Sequence, residues 1–484
     1  MSISSAISSA LSGLNASSRQ VQAISTNLAN SLTPGYGVRQ LELESLSSGL
    51  SGGVRIAAIT RNVDEALISD RRRADSALAS STTSATFFAE LERTLGTPED
   101  PKSLTARLAE FEASLISASA RPEEETRLQS AVLRADEIVQ ALNNASDRVQ
   151  ALRSDAETRI QQDVTNANEY LRQLETLNGQ IVDAKNRGVP AAALQDQRSV
   201  VLDQLTEIVP LRVFQRDNGS ISIYTPTGAG LLDGRAAELS FSPANVIAPH
   251  MTQANGLLAQ LEINGNPVAT ADDRSPIAGG RLAANFGVRD GLAVDAQAQL
   301  DAIARNLIER FQDTAVDPTI TPGDPGLFSD GGAAFDAVDE VGIAGRISLS
   351  DEVRPEAGGD YRRLRDGLYA AGPGSPGDAT LLQNLTQALS EVDSLASGNL
   401  GGTSRGAAGH VASMMGYFGE QRLSLDQSVA FSRSNQAGLV ENELSFGVNT
   451  DEELQRLLLV EQAYAANARL IQTAGEMLDE LLRI

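Results

Sequence analysis

Between Pro122 and Gly179 the chain contains neither proline nor glycine, and its helical pattern carries on to Arg187 before Gly188 and Pro190 stop it. The stretch opens on "RPEEETRLQ". Pro122 sits near the first helical position, and Glu123, Glu124 and Glu125 set negative charge against the positive end of the helix dipole. At ~1.5 Å per residue the predicted helix is roughly 95 Å long, where an ordinary globular helix has three or four turns. A helix of that length is a rod, and its packing partners must also be long.

Composition agrees. Hydrophobic residues make up 41% of the 484, aromatics only 4%, and there is no Trp. The core is therefore aliphatic and Ala-rich, which suits packed helices better than a β-sandwich. The net charge of −24 repels phosphate backbones and anionic lipid, so neither nucleic acid nor a membrane surface is an expected partner. The absence of Cys removes disulfides, thiolate nucleophiles and Cys-ligated metal. No apolar run reaches the length of a membrane helix, and the first positive side chain is Arg19, so no cleaved secretory signal is read at the N-terminus. Composition alone points to the cytoplasm.

Both chain ends carry a seven-residue repeat. Ile7, Leu14, Val21 and Leu28 form one row near the start, with Ile3, Ala10 and Ile24 on the companion position. Leu457, Tyr464, Ile471 and Leu478 form a row near the end, with Val460, Asn467, Ala474 and Leu481 as companions. Asn467 is the polar intruder of the kind that fixes register at a cost in stability. The simplest reading pairs the two ends. Little area is buried against the entropy of ordering both, so the ends are expected to be disordered in the isolated protein and to fold on assembly. The first helix is stopped by Asn30 and Pro34, and Thr33, Pro34, Gly35, Tyr36 and Gly37 make a hinge.

From 38 to 59 the sequence reads as an extended arm. Helices are predicted over 62–95, 102–119, 287–312, 378–395, 410–444 and 451–483. "LRVFQRDNGSISIYTPTG" alternates around Asp217-Asn218-Gly219 and predicts a hairpin, opening a β segment at about 211–285. Residues 317–377 are rich in Pro, Gly and Asp, with a strand at "GRISLS", and "SGNLGGTSRGAAG" reads as a flexible joint. The fold class is mainly α with a smaller β part (α+β). Residues 1–60 and 442–484 form a terminal coiled-coil domain, and 61–441 an elongated body.

"ALSGLNASSRQVQAISTNLANSLTPGYGVRQ" resembles the N-terminal motif of flagellar axial proteins, and "FGVNTDEELQRLLLVEQAYAANARLIQTAGEMLDELLRI" is similar to their C-terminal motif. The long central helix and the "VNTDEE" lead-in look most like the junction proteins between hook and filament. "NLIERF" and "GDPGLF" add a looser likeness. The resemblance implies that the terminal helices line the inner tube of a ring of copies, with hook protein and a second junction protein as neighbours. It implies export without a cleaved signal, so that the location becomes extracellular, and a dedicated chaperone on the C-terminal helix. It also implies an outer insertion near 329–363 that is reduced or absent here. The family's "TPGYSRQ" reads "TPGYGVRQ", one residue longer. Ile7, Leu14, Val21, Leu28, Leu457, Tyr464, Ile471 and Leu478 become the expected subunit contacts. Another axial component, the hook protein or the second junction protein, is the alternative within this class. A cytoplasmic coiled-coil adaptor is the alternative outside it.

Motifs for chemistry are thin, and no enzyme, cofactor or metal is expected. His250 and His410 are the only histidines, and neither has a motif around it. "GLSGG" at 49–53 matches a nucleophile elbow in form but lacks the strand before and the helix after it. "GPGSPG" at 372–377 matches a dinucleotide fingerprint, yet its prolines cannot donate to phosphate. Glu123–Glu125 is explained by the helix start. Arg71, Arg72 and Arg73 read as a solvated helix face paired with acids.

Overall fold

A computed structural model describes residues 3–46, 52–97, 99–270, 275–400 and 402–483. Helix α1 (Ile3–Ala29) leads into a hairpin of β1 (Val38–Ser45) and β2 (Val54–Asn62), then α2 (Glu65–Leu95), α3 (Leu104–Ala120), α4 (Glu125–Asn186) and α5 (Ala192–Ile208). Short strands follow: β3 (Arg212–Gln215), β4 (Ile221–Tyr224), β5 (Gly230–Asp233), β6 (Arg235–Ala236), β7 (Leu239–Ser240), β8 (Leu261–Ile263) and β9 (Asn266–Val268). Helix α6 (Gly280–Gly287) passes through a π-helical turn (Val288–Leu292) into α7 (Ala293–Gln312). Then come β10 (Phe328–Asp330), β11 (Ile347–Leu349), α8 (Arg363–Asp366), α9 (Thr380–Ser390), α10 (Ala407–Ser445) and α11 (Thr450–Arg483). Among the described residues the strands form antiparallel sheets in the orders β1-β2, β3-β4-β5-β6, β7-β8-β9 and β10-β11.

The rod is present: α4 has 62 residues, about 93 Å at ~1.5 Å each. Leu128, Ala135, Leu142, Val149 and Ala156 are buried at every seventh position. After a step of four, Ile160, Ala167, Leu174 and Ile181 resume the same spacing. A four-residue insertion of this kind turns the apolar seam to a new direction. The two halves accordingly serve two cores. The first half packs among α2, α3, α7, α9 and the start of α10. The second packs against α5, α6 and the short sheets. Polar side chains fill the step. Arg289 of the π turn donates to Glu157 Oε2 at 2.5 Å, with the Arg289 side chain fully buried and that of Glu157 3% exposed. Glu157 Oε1 accepts the Ala244 N–H (2.8 Å), and Arg153 donates to the carbonyls of Arg289 and Ala248.

Several expectations are corrected. The arm at 38–59 is a hairpin extending to Asn62, with a register shift between Glu42 and Leu43. Pro122 precedes the helix; Glu124 is its N-cap residue. α5 was not foreseen, although Val201, Leu202, Leu205 and Ile208 recur at helical spacing and are buried. The helix expected from 287 begins at Gly280, and the one expected to 395 ends at Ser390. The β segment expected to 285 has its last strand at Val268. The two ends are helices packed against each other, and α1 also lies on the hairpin. Of the "GLSGG" stretch, Gly49, Leu50 and Ser51 lie outside the described residues, as does Gly401 of the predicted joint.

Candidate assembly site

The break after α1 is a pinned turn. Gly35 takes φ +74°, a left-handed conformation that favours glycine, and a Cβ there would meet Val200 Cγ2 at 2.8 Å. A Cβ on Gly37 would run into the Arg61 side chain. Asn27, fully buried at the last turn of α1, uses its whole hydrogen-bonding capacity. Its Oδ1 accepts from the Tyr36 hydroxyl (2.7 Å) and the Arg39 N–H (2.8 Å). Its Nδ2 donates to the Arg39 carbonyl (3.0 Å) and to Glu453 Oε1 at the start of α11 (3.2 Å). Asp196 of α5 holds the other side, accepting from the Gly37 N–H (3.1 Å), from Arg61 Nε (2.8 Å) and from Arg39. The Arg39 guanidinium stands over the Tyr36 ring at 4.9 Å. Thr33 to Gly37 is thus fastened to α1, α11 and the body at once. The partners Asn27, Asp196 and Glu453 carry no local signal that sequence reading could use.

The terminal helices meet along the companion rows. Ala10, Ser17 and Ile24 are buried on α1, with Val460 and Ala474 on α11. Asn467 faces Gly13, whose hydrogen leaves the room: a Cβ there would lie 2.7 Å from Asn467 Nδ2. The rows expected as contacts flank this seam. Ile7, Leu14, Val21, Leu457 and Ile471 are half-buried; Leu28, Tyr464 and Leu478 are exposed. Beyond them α11 presents Leu458, Leu459 and Leu470 to solvent at 59%, 66% and 56% exposure, and α1 presents Leu11 at 61%.

Below the turn lies a cleft of about 390 Å³, walled by the turn itself, the start of α2 and the α10–α11 connection, with Leu32, Leu444 and Phe446 at its rim exposed to solvent. Arg71 closes its floor. It pairs with Asp75 (2.5 Å), Asp203 of α5 (2.8 Å) and Glu443 of α10. These acids hold its guanidinium above the ordinary arginine value against the opposing effect of burial. Arg72 is buried on Asp203 and Ser199, and only Arg73 is exposed, paired with Asp70. The expected solvated face is therefore corrected: two of the three arginines are struts from α2 to its neighbours.

His410 is buried, with Nε2 3.0 Å from the Asp393 carbonyl and 3.1 Å from Asp393 Oδ1, which Arg310 also engages. This ties the segment before α10 to α7. The 372–377 motif lies in an exposed loop. Among the described residues no group of His and acidic side chains could hold a metal, and no helix is long and apolar enough to cross a membrane.

Residues 88–324 match the family described as "Flagellar hook-associated protein FlgK helical domain", and 445–484 match "Flagellar basal body rod FlgEFG protein C-terminal". Flagellar hook-associated protein 1 of Escherichia coli (strain K12) is 24% identical over 553 residues, covering 100% of both chains. The protein of the same name from Bacillus subtilis (strain 168) is 22% identical, covering 96% of each.

The chain thus carries a FlgK helical domain and is similar along its whole length to flagellar hook-associated protein 1.

It is a structural component of the bacterial flagellum, with the mainly α architecture read above. A solved structure, "the flagellar hook junction protein FlgK from Burkholderia pseudomallei", is 21% identical with a TM-score of 0.45 over 54% of this chain and 47% of that one. The hook-associated match falls on the body helices around α4, and the basal body rod match falls on α11.

Proposed function

We propose that copies of this chain form a ring on the flagellar axis and join hook to filament. In this reading α1 and α11 register against the same helices of neighbouring copies. The observation that carries it is the outward face of α11. Leu458, Leu459 and Leu470 remain in water after the intramolecular seam has formed, and a row of exposed leucines of this kind marks a surface made to be covered. The contacts expected from sequence, Ile7, Leu14, Val21, Leu28, Leu457, Tyr464, Ile471 and Leu478, border that face and belong to the same interface.

Hook protein on one side of the ring and a second junction protein on the other are the proposed neighbours. Before assembly the apolar face of α11 suits an export chaperone, and the destination is extracellular. The role is structural, without catalysis. Residues 1–60 with 442–484 act as the inner-tube domain and 61–441 as the body. The alignment with the Escherichia coli relative runs over 553 residues against 484 here, so that relative carries segments this chain lacks. This supports a reduced outer insertion near 329–363, where β10 and β11 pair directly.

Leu459→Asp tests the reading. Leu459 is 66% exposed in one copy, so the substitution should leave stability within about 0.5 kcal/mol of the parent. Incorporation into flagella and swimming should be lost. A correctly folded Leu459→Asp protein that assembles and supports normal swimming would sink the proposal.

A further inference from the structure

Arg198, in the middle of α5, is 7% exposed. Its Nη1 donates to Asn178 Oδ1 (3.1 Å) and to the Gly219 carbonyl (2.9 Å), both neutral acceptors. It forms no ion pair with any described carboxylate. The contrast with Arg153 is informative. Arg153 is also buried without a carboxylate partner, but it donates from Nε, Nη1 and Nη2 to the carbonyls of Arg289, Ala248 and Met251. Arg198 uses one nitrogen only. The side chain instead borders a mostly polar cleft of about 120 Å³ between α2, α5 and the β3–β4 hairpin, together with Arg61, Arg72, Gln195, Ser199 and Gln215.

The charge in this cleft is out of balance. Arg61 holds Asp196 at 2.8 Å and Arg72 holds Asp203 at 2.6 Å, and neither of those acids lines the cleft. Glu65 is the acid on its wall, but its side chain is 53% exposed and lies 3.5 Å from Arg61. Arg198 faces two other guanidiniums, and Glu65, the nearby acid, pairs with none of its nitrogens. Burial pushes it down to about 10; Glu65 opposes the shift, and Arg61 and Arg72 add to it. A buried cation of this kind is stabilised by an anion that brings charge-assisted hydrogen bonds with it.

We propose that this cleft is an oxyanion site, in which Arg198 holds a carboxylate, sulfate or phosphate group. The oxyanion has two possible sources. One is a free inorganic ion. The other is an Asp or Glu side chain of a second copy, which the surplus of 63 acids over 39 basic residues makes abundant on every copy. This second source rests on the ring reading; the first does not. The cleft adjoins the pinned turn, since Arg61 lines it and also holds Asp196, which accepts from Gly37. A neighbour's carboxylate seated here would therefore lie beside the terminal helices.

The test is a sulfate titration of the dilute full chain against sodium chloride of equal ionic strength, read by the thermal midpoint. The parent should show a saturable rise of about 2 °C or more above the chloride control. Arg198→Gln should show none, and Arg198→Lys, which keeps the charge, an intermediate rise. An equal response in parent and Arg198→Gln overturns the site. If Arg198→Gln does not fold, calorimetric titration of the parent decides: saturable heat with sulfate beyond chloride supports the site, and its absence overturns it. The source is read at concentrations where the protein self-associates. Loss of association on adding sulfate assigns the cleft to a neighbour's carboxylate; unchanged association with sulfate bound assigns it to the free ion.

Discussion

Tyr36 shows how much one side chain governs where the chain ends leave the body. Its hydroxyl donates to Asn27 Oδ1, and burial raises its pKa above the ordinary 10.0 while Arg39 opposes the rise. The folded state therefore keeps this proton longer than the unfolded chain does. The contribution of Tyr36 to stability is whole below the ordinary phenol value and is lost as pH climbs through the raised one. Tyr36→Phe should cost about 1 kcal/mol at neutral pH, the worth of one neutral hydrogen bond, and should remove one late-titrating phenol from the alkaline absorbance curve. Urea melts and that titration check both. The turn itself was legible because Pro34, Gly35 and Gly37 act on their own backbone. Asn27, Asp196 and Glu453 were not, because a side chain that satisfies groups 12 or 426 residues away leaves no periodic or local trace. The arginines at 71–73 show the same limit: adjacent and chemically alike, they divide between struts and solvent only once α5 and α10 are in place.

Among the elements, α4 shows what a seam with a step in it requires. Where the spacing shifts between Ala156 and Ile160, the helix turns from one core to the other, and Glu157 has no water to face. Glu157 meets Arg289 there. Removing one partner of a fully buried pair leaves the other charge stranded, so Glu157→Ala should destabilise by about 3–5 kcal/mol, measured by denaturant unfolding. A loss under about 1 kcal/mol would mean that Arg289 is rescued by Asp290 alone. The long helices were legible to within a few residues, since glycine and proline punctuate their ends: α10 and α11 separate at Phe446 to Asn449 as "FGVN" suggested. Of the short elements, the β3–β4 hairpin and β11 were legible from alternation and turn residues, and the bounds of the others were not. The two-residue strands β6 and β7 and the π turn are set by the surface that α4 offers them, not by their own propensity.

At the scale of the whole molecule, the body and the terminal pair differ in how firmly they are held. The body has two cores threaded by one helix. The pair has, on α11, only Glu453, Val460 and Ala474 buried over 34 residues. Such a helix is marginal in water without neighbours. In dilute solution the amides of Leu14 and Ile471 should exchange far faster than that of Leu142, and should become protected on assembly. Hydrogen exchange followed by mass spectrometry reads both states; protection equal to that of Leu142 in the dilute chain would show the ends to be self-sufficient. That both ends meet was legible from the matching repeats. Which face each helix turns inward was not, because the repeat marks two adjacent rows and packing chooses between them. The chain enters the body at the Thr33–Gly37 turn and leaves it at Phe446–Asn449, and the two crossings share one cleft wall. Torque applied to the terminal pair must therefore pass through a neck of two strands of backbone, while α4 spreads it beyond with little give. Whatever compliance a junction needs to mate two unlike lattices is concentrated in that neck.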